Sequence, residues 1–252
     1  MKRIITILVV LAILLPFANS TCLAQQFARN WESKVFIGYN LGGTTPLPLP
    51  AEIRKVNSWS PGFSGTVAFH ISHWLTPKWG LTTGLAIDLK GMAISADVKY
   101  MNTSLVVGEG AQTGTFSGTF SGKNNTTVRN AYLVLPVLAA YRLSPTWTFR
   151  LGGYIATQQN AKFEGDASDG YIRNGGPAGD RINIDRATFD FSEHIRKVDA
   201  GLMASADWFF TDKMALTGQL SWGLVPIFPS DFNGIPYKMY NVYLMLGLAY
   251  KL

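Results

Sequence analysis

The sequence predicts an all-β chain: an eight-stranded antiparallel up-and-down transmembrane β-barrel, preceded by a cleaved signal peptide. Three observations predict it. Eight segments alternate at period two, the connections between them alternate long and short, and no apolar run after residue 24 reaches the length of a membrane helix.

The leader comes first. Met1-Lys2-Arg3 precedes an apolar run from Ile4 to Phe17, the charged-then-apolar order of a secretory signal, and that run falls short of the roughly 20 residues a spanning helix needs. Cys22-Leu23-Ala24 fits a small-residue cleavage site. The predicted organisation is a signal peptide over residues 1–24 and a barrel domain over 25–252. The alternative at this point is lipid modification of Cys22, but Asn19-Ser20-Thr21 lacks the leucine and small pair such signals carry.

Cys22 is the only cysteine, so the mature chain has no disulfide framework and must gain stability from another form of closure. The 22 basic residues exceed the 16 acidic ones, leaving about +4 once Lys2 and Arg3 are gone. No block of like charge occurs, which argues against a nucleic-acid partner. Aromatic residues make up 13% of the chain, and several stand near the ends of alternating segments, as at a membrane interface.

The first segment sets Val35, Ile37, Tyr39 and Leu41 against Gly38, Asn40 and Gly42. The second sets Phe63, Val67, Phe69, Ile71 and Leu75 against Ser64, Thr66, Ala68, His70 and Ser72. In the third, Leu81, Leu85, Ile87 and Leu89 oppose Thr82, Gly84, Ala86, Asp88 and Lys90. The fourth is less polar on its second face: Leu133, Leu135, Val137, Ala139 and Tyr141 oppose Tyr132, Val134, Pro136, Leu138 and Arg142.

The fifth sets Trp147, Phe149, Leu151 and Ile155 against Thr148, Arg150, Gly152 and Tyr154, and the sixth sets Val198, Leu202, Ala204 and Trp208 against Asp199, Ser205 and Asp207. Met214, Leu216, Leu220 and Trp222 oppose Thr217, Gln219 and Ser221 in the seventh. The eighth places Val242, Leu244, Leu246, Leu248, Tyr250 and Leu252 opposite Asn241, Tyr243, Gly247 and Lys251. Side chains alternate across a strand, so each segment has one apolar and one polar or small face.

Alternation alone also fits a soluble sandwich. The connections favour a membrane barrel: long ones span about 43–62, 91–127, 159–195 and 225–238, and short turns fall at Thr76-Pro77-Lys78, Ser144-Pro145-Thr146 and Thr211-Asp212-Lys213. This layout predicts periplasmic termini and four long extracellular loops. An open sheet edge in lipid would strand backbone groups, so closure is required. Pro136 lacks a ladder donor, predicting a bulge or an unpaired position.

Gly247-Leu248-Ala249-Tyr250-Lys251-Leu252 resembles the C-terminal assembly signal of bacterial outer-membrane barrels, although Met245 and Leu252 depart from its usual residues. The run Asn130-Ala131-Tyr132-Leu133-Val134-Leu135-Pro136-Val137-Leu138 with Tyr141-Arg142, and the stretch from Leu75 to Lys90-Gly91, resemble Bacteroidetes barrels of the PorT-like and "porin family" groups. The resemblance implies an outer-membrane location and a barrel fold. It also implies that outer-membrane lipids, the barrel-assembly machinery acting on the last strand, and an envelope or secretion protein are its partners.

The three histidines are the starting point for catalysis. His70 is predicted to face inward beside Ser72, His73 outward near a turn, and His194 to lie in a loop. Residues two apart on one strand face lie about 7 Å apart, and no third group completes a triad. Asp166-Ala167-Ser168-Asp169-Gly170 lacks the ligand count of a calcium loop and reads as a solvated turn. The glycine-rich run 108–122 lacks a Gly-Lys-Ser/Thr ending and reads as a hairpin above the membrane. No catalytic, cofactor-binding or metal residue is assigned.

Asp88, Lys90, Arg150, Asp199, Asp207 and Lys251 fall on the interior face. Eight strands leave room only for side chains, so these charges are expected to form an ion-paired plug, with a narrow ion or proton path as the alternative. Trp59, Tyr171, Arg173, Arg181 and Phe228 are the candidate exposed loop contacts. The sequence therefore predicts a non-enzymatic barrel with a structural, surface-interaction or secretion-associated role. A narrow transport or lipocalin-like ligand-binding barrel is the alternative.

Overall fold

Alternation at period two becomes strand wherever the sequence shows it. The computed structural model describes residues 30–107, 114–174 and 179–252; the predicted leader with Cys22, its predicted cleavage site and residues 108–113 lie outside them. The strands are β1 (Trp31–Pro46), β2 (Ile53–Ser60), β3 (Gly65–Trp74), β4 (Trp79–Val107), β5 (Gly114–Arg142), β6 (Trp147–Asn160), β7 (Phe163–Arg173), β8 (Arg181–Asp190), β9 (Val198–Phe209), β10 (Met214–Gly223) and β11 (Met239–Lys251).

Eight of these pair in chain order, each antiparallel to the next: β1, β3, β4, β5, β6, β9, β10 and β11. The β11–β1 ladder, from Lys34↔Lys251 to Pro46↔Met239, then returns to the start and closes a ring. Closure leaves no strand edge within the ring to be satisfied by solvent. Gly38 faces Gly247 across this seam, and a Cβ on Gly247 would stand 2.5 Å from Gly38 Cα, so the pair permits the close approach.

The apolar face points outward. Ile37, Val67, Leu85, Val137, Leu151, Leu202, Leu216 and Leu246 are all exposed, while Lys34, Thr66, His70, Asp88, Arg150 and Asp207 are buried inside. Such inversion is unfavourable in water and favourable in lipid, where each buried CH₂ contributes about 0.8 kcal/mol. Trp31, Trp79, Trp147, Trp208, Phe210 and Tyr250 form an exposed aromatic girdle at the end with the short turns. Trp79 packs on Tyr141 and Trp147 on Trp208.

The three short turns share one device. A hydroxyl accepts a backbone N–H three residues on: Thr76 from Trp79 at 2.9 Å, Ser144 from Trp147 at 3.1 Å, and Thr211 from Met214 at 2.9 Å. Proline or aspartate follows each hydroxyl and supports the turn.

The expectation of eight strands separated by irregular loops is corrected by β2, β7 and β8. They occupy the segments read as the first and third long connections, and β4 and β5 extend to 29 residues each through the second. β2 joins the far half of β4, β7 joins the far half of β5, and β8 pairs with β7. A backbone bridge between Val106 and Thr188 brings β8 back to β4. The result is a lobe standing on the ring.

The lobe has its own core. Met92, Val98, Met101, Phe120, Phe163, Ile172, Ile184, Phe189 and Phe191 pack with Ile227, Phe228 and Met239. Phe228 was expected to be exposed; instead it packs edge-on to Phe163 at 5.1 Å and stacks on Phe232 at 4.4 Å, because the connection from β10 to β11 folds over the lobe. Asp166 to Gly170, read as a solvated turn, lies inside β7.

Pro136 is unpaired on its β4 side only, and on the other side it pairs with Tyr154 of β6. The β4–β5 ladder skips Gly84 and Leu85 opposite Leu135 and Pro136 and resumes in the same register. No extra residue is inserted there. The Thr83 hydroxyl donates to the Pro136 carbonyl at 2.8 Å and satisfies the acceptor the ladder leaves free.

Candidate functional site

Among the described residues, six Lys, Arg and Asp side chains are buried within the ring, three cationic and three anionic: Lys34, Lys90, Arg150, Asp88, Asp199 and Asp207. They divide into two groups. Towards the short turns, Asp207 accepts from Lys34 at 2.7 and 2.8 Å, from Thr217 at 2.7 Å and from Arg150. Arg150 Nε also reaches Thr82 at 3.3 Å, and Thr82 is bonded to Ser72 at 2.7 Å.

Nearer the lobe, Lys90 stands 3.6 Å from both Asp88 and Asp199. The rings of Tyr132, Tyr154 and Tyr243 surround its ammonium at 5.1, 5.4 and 5.7 Å. Asn40 and Thr66 donate to Asp88 at 2.7 and 2.8 Å, while Asn241 and Tyr154 donate to Asp199 at 3.0 and 3.2 Å. One group carries an excess positive charge and the other an excess negative charge, so the interior is neutral as a whole. Paired charges with hydrogen-bonded partners persist in such a setting, whereas an isolated one is costly.

The sequence placed five of the six charges inside and missed Lys34, which precedes the first apolar residue counted in its segment. Its parity with Phe36 and Asn40 was the available signal. Lys251, predicted inside, lies instead at the mouth by the short turns, where it and Arg142 both pair with Glu32 at 3.1 Å. The strand ends there, so its side chain reaches solvent.

His70 is buried as predicted, with its ring edge-on to Phe36 at 4.8 Å. Its neighbour Ser72 is committed to Thr82, so the two do not form a nucleophile and base. His73 packs on Trp31 at 4.5 Å, and His194, in a 3-10 turn at Ser192–His194, packs on Phe232 at 4.9 Å. Among the described residues, no three His, Cys, Asp or Glu side chains converge as a metal site.

On the lobe, Tyr171 carries Arg181 over its ring at 4.2 Å and Arg173 at 5.5 Å. Trp59 on β2 is exposed. These were the predicted loop contacts, and the structure brings three of them together on β7 and β8 but leaves Trp59 on a different strand.

A family model described as "Outer membrane protein beta-barrel domain" matches residues 23–229. The chain belongs to that family. As a member of the outer-membrane barrel family, it is an outer-membrane protein, and its inverted ring is the membrane-facing part. The match stops before β11, the strand that closes the ring.

Solved structures of outer-membrane proteins are similar over most of the chain. Ail, the attachment invasion locus protein of Yersinia pestis, solved with the heparin analogue sucrose octasulfate, shares 10% identity over 88% of this chain and 99% of that one, at a TM-score of 0.36. OprG of Pseudomonas aeruginosa shares 10% over 88% and 96%, at 0.33. The Escherichia coli outer membrane protease OmpT shares 14% over 89% and 97%, at 0.31. No curated protein matches the chain.

Proposed function

We propose that this outer-membrane protein is a non-enzymatic barrel, closed to solutes through its centre, that acts at the cell surface through the lobe carried by β4 and β5. The observation that supports this is the neutral interior. Three cations and three carboxylates are paired there, Lys90 with Asp88 and Asp199 at 3.6 Å, and three tyrosine rings surround Lys90. The short turns then face the periplasm, and the lobe, with Trp59 and the Tyr171–Arg181 pair, faces outward. The finer reading proposed is a PorT-like Bacteroidetes barrel, which the resemblance of the Tyr132–Pro136 run and the Lys90-Gly91 ending supports.

Reconstitution in planar bilayers tests closure. The expected trace is silent, and discrete stable openings overturn it. Cysteine accessibility tests orientation against little background, because the chain's single cysteine is Cys22. Asn233→Cys is expected to react with an impermeant maleimide on intact cells while Asp212→Cys is not; the opposite pattern reverses the assignment.

A further inference from the structure

Lys90 and Asn241 meet at a single carboxylate oxygen. Asp199 Oδ2 lies 3.6 Å from Lys90 Nζ and accepts from Asn241 Nδ2 at 3.0 Å. Lys90 is on β4 and Asn241 on β11, with β3 and β1 between them in the ring, so only the closed barrel brings them together. All three side chains are buried.

Each group is placed as a reactant would be. Among the described residues, the Lys90 nitrogen makes no hydrogen bond, so none has to break before it forms a new bond. The Asn241 carbonyl oxygen accepts the Thr44 hydroxyl at 2.8 Å, which fixes the amide's orientation and sets a donor where charge would develop under attack. The Asn241 nitrogen, the leaving group, faces Asp199 and, at 3.4 Å, the Tyr132 hydroxyl. The rings of Tyr132, Tyr154 and Tyr243 around Lys90 exclude water, the competing nucleophile. The second Asp199 oxygen, Oδ1, is buried without a donor among the described residues, a condition that costs a carboxylate more than a neutral carboxyl.

We infer that Lys90 and Asn241 are joined by an intramolecular isopeptide bond, with Asp199 as the proton carrier. Lys90 passes one proton to Asp199, which removes two poorly compensated buried charges. The neutral amine attacks Asn241 Cγ while the Thr44 hydroxyl supports the carbonyl oxygen. The Nζ–Cγ bond forms, a further proton moves from Nζ through Asp199 to Nδ2, the Cγ–Nδ2 bond breaks, and ammonia leaves. Asp199 ends protonated, so Lys34 and Arg150 still balance Asp88 and Asp207 inside the ring.

A similar pair stands on the other side of Lys90. Asn40 Nδ2 donates to Asp88 Oδ1 at 2.7 Å, but it is also held by the Leu89 carbonyl at 3.0 Å, and Lys90 faces the other Asp88 oxygen. Asn241 is the amide that shares an oxygen with Lys90. The bond forms once within the chain, ties β4 to β11 beside the closing seam, and stands whatever the lobe does at the surface.

Mass spectrometry of protein extracted from outer membranes is the test. Acylation protects Lys90 from trypsin, so the digest is expected to contain residues 79–99 joined to residues 239–251, lighter than the two peptides together by one ammonia. Separate peptides alone, with cleavage after Lys90, overturn the proposal; a link from Lys90 to Asn40 overturns the assignment to Asn241. Lys90→Arg keeps a cation among the tyrosines without the amine, and Asp199→Ala removes the proton carrier. Both are expected to abolish the joined fragment, and a folded Asp199→Ala variant that still links overturns the role given to Asp199. Should either variant fail to fold, the digest of the parent protein decides.

Discussion

Asp207 neutralises two cations at once. Replacing it with asparagine leaves Lys34 and Arg150 side by side in the ring with no counter-charge. Breaking a buried pair in this way costs about 3–5 kcal/mol, far above the cost of losing a surface pair. Asp207→Asn is therefore expected to lower the urea midpoint of unfolding in detergent or nanodiscs, with no comparable change for Asp169→Asn, whose partner Lys123 is half exposed. A second residue acts through pH. Asp190 accepts the Ser192 hydroxyl at 2.5 Å and the Ser192 N–H at 2.9 Å, and these bonds hold its carboxyl below the usual carboxylate range. A lowered value means that the folded state favours the carboxylate. Its stabilisation is complete above the unfolded value of about 4 and is lost as pH falls through the lower folded value. Ser192→Ala is expected to raise the midpoint of Asp190 towards about 4 in a ¹³C-detected titration; an unchanged midpoint contradicts the assignment.

At the scale of elements, the lobe depends on a connection rather than a strand. Phe228 and Phe232 pin the segment between β10 and β11 to Phe163 and Phe191, and Arg196 N–H bonds to the Ile227 carbonyl at 2.7 Å. Phe228→Ala is expected to cost about 3–5 kcal/mol locally. Hydrogen exchange should then accelerate in residues 224–238 and not in β9 or β10. The same elements show where sequence reading succeeds. Ring strands are legible because lipid on one side and a narrow interior on the other impose strict alternation along every strand. Lobe strands are not. β2 is exposed almost throughout, so it has no apolar face. In β7 the buried residues Phe163 and Ala167 share a parity that Ile172 breaks, because the β5–β7 register shifts beyond Ser121 and Asp169 takes a φ of 50°. β4 shifts at the neighbouring position, where Tyr100 has a φ of 59° and its N–H donates to Ser121 at 3.0 Å. Two bulges flanking one point of β5 reverse the faces and curl the sheet, and a period-two scan reads straight past them.

For the whole molecule, the two groups of interior charge were legible as a set of inward residues but not as partners. Asp207 and Lys34 are 173 residues apart, and only ring closure brings them together. The seam is therefore as important as the charges it assembles. Gly247→Val would put side-chain atoms against the β1 backbone at Gly38. The variant is expected to lose the compact, heat-modifiable band of a folded barrel on cold gels, whereas Gly218→Ala, where a Cβ meets only Leu246 at 3.6 Å, should keep it.

The shared turn device has a topological consequence. Leu252 N–H bonds to the Ser33 carbonyl at 3.0 Å, so the end of β11 and the start of β1 are separated by no more than a turn. The ring is then cyclically equivalent at its short-turn end, where each neighbouring pair is joined by a hydroxyl-capped turn except this one. Linking Leu252 to residue 31 through Thr-Pro-Lys and reopening the chain between Asp212 and Lys213 gives a permuted protein with the same neighbours throughout.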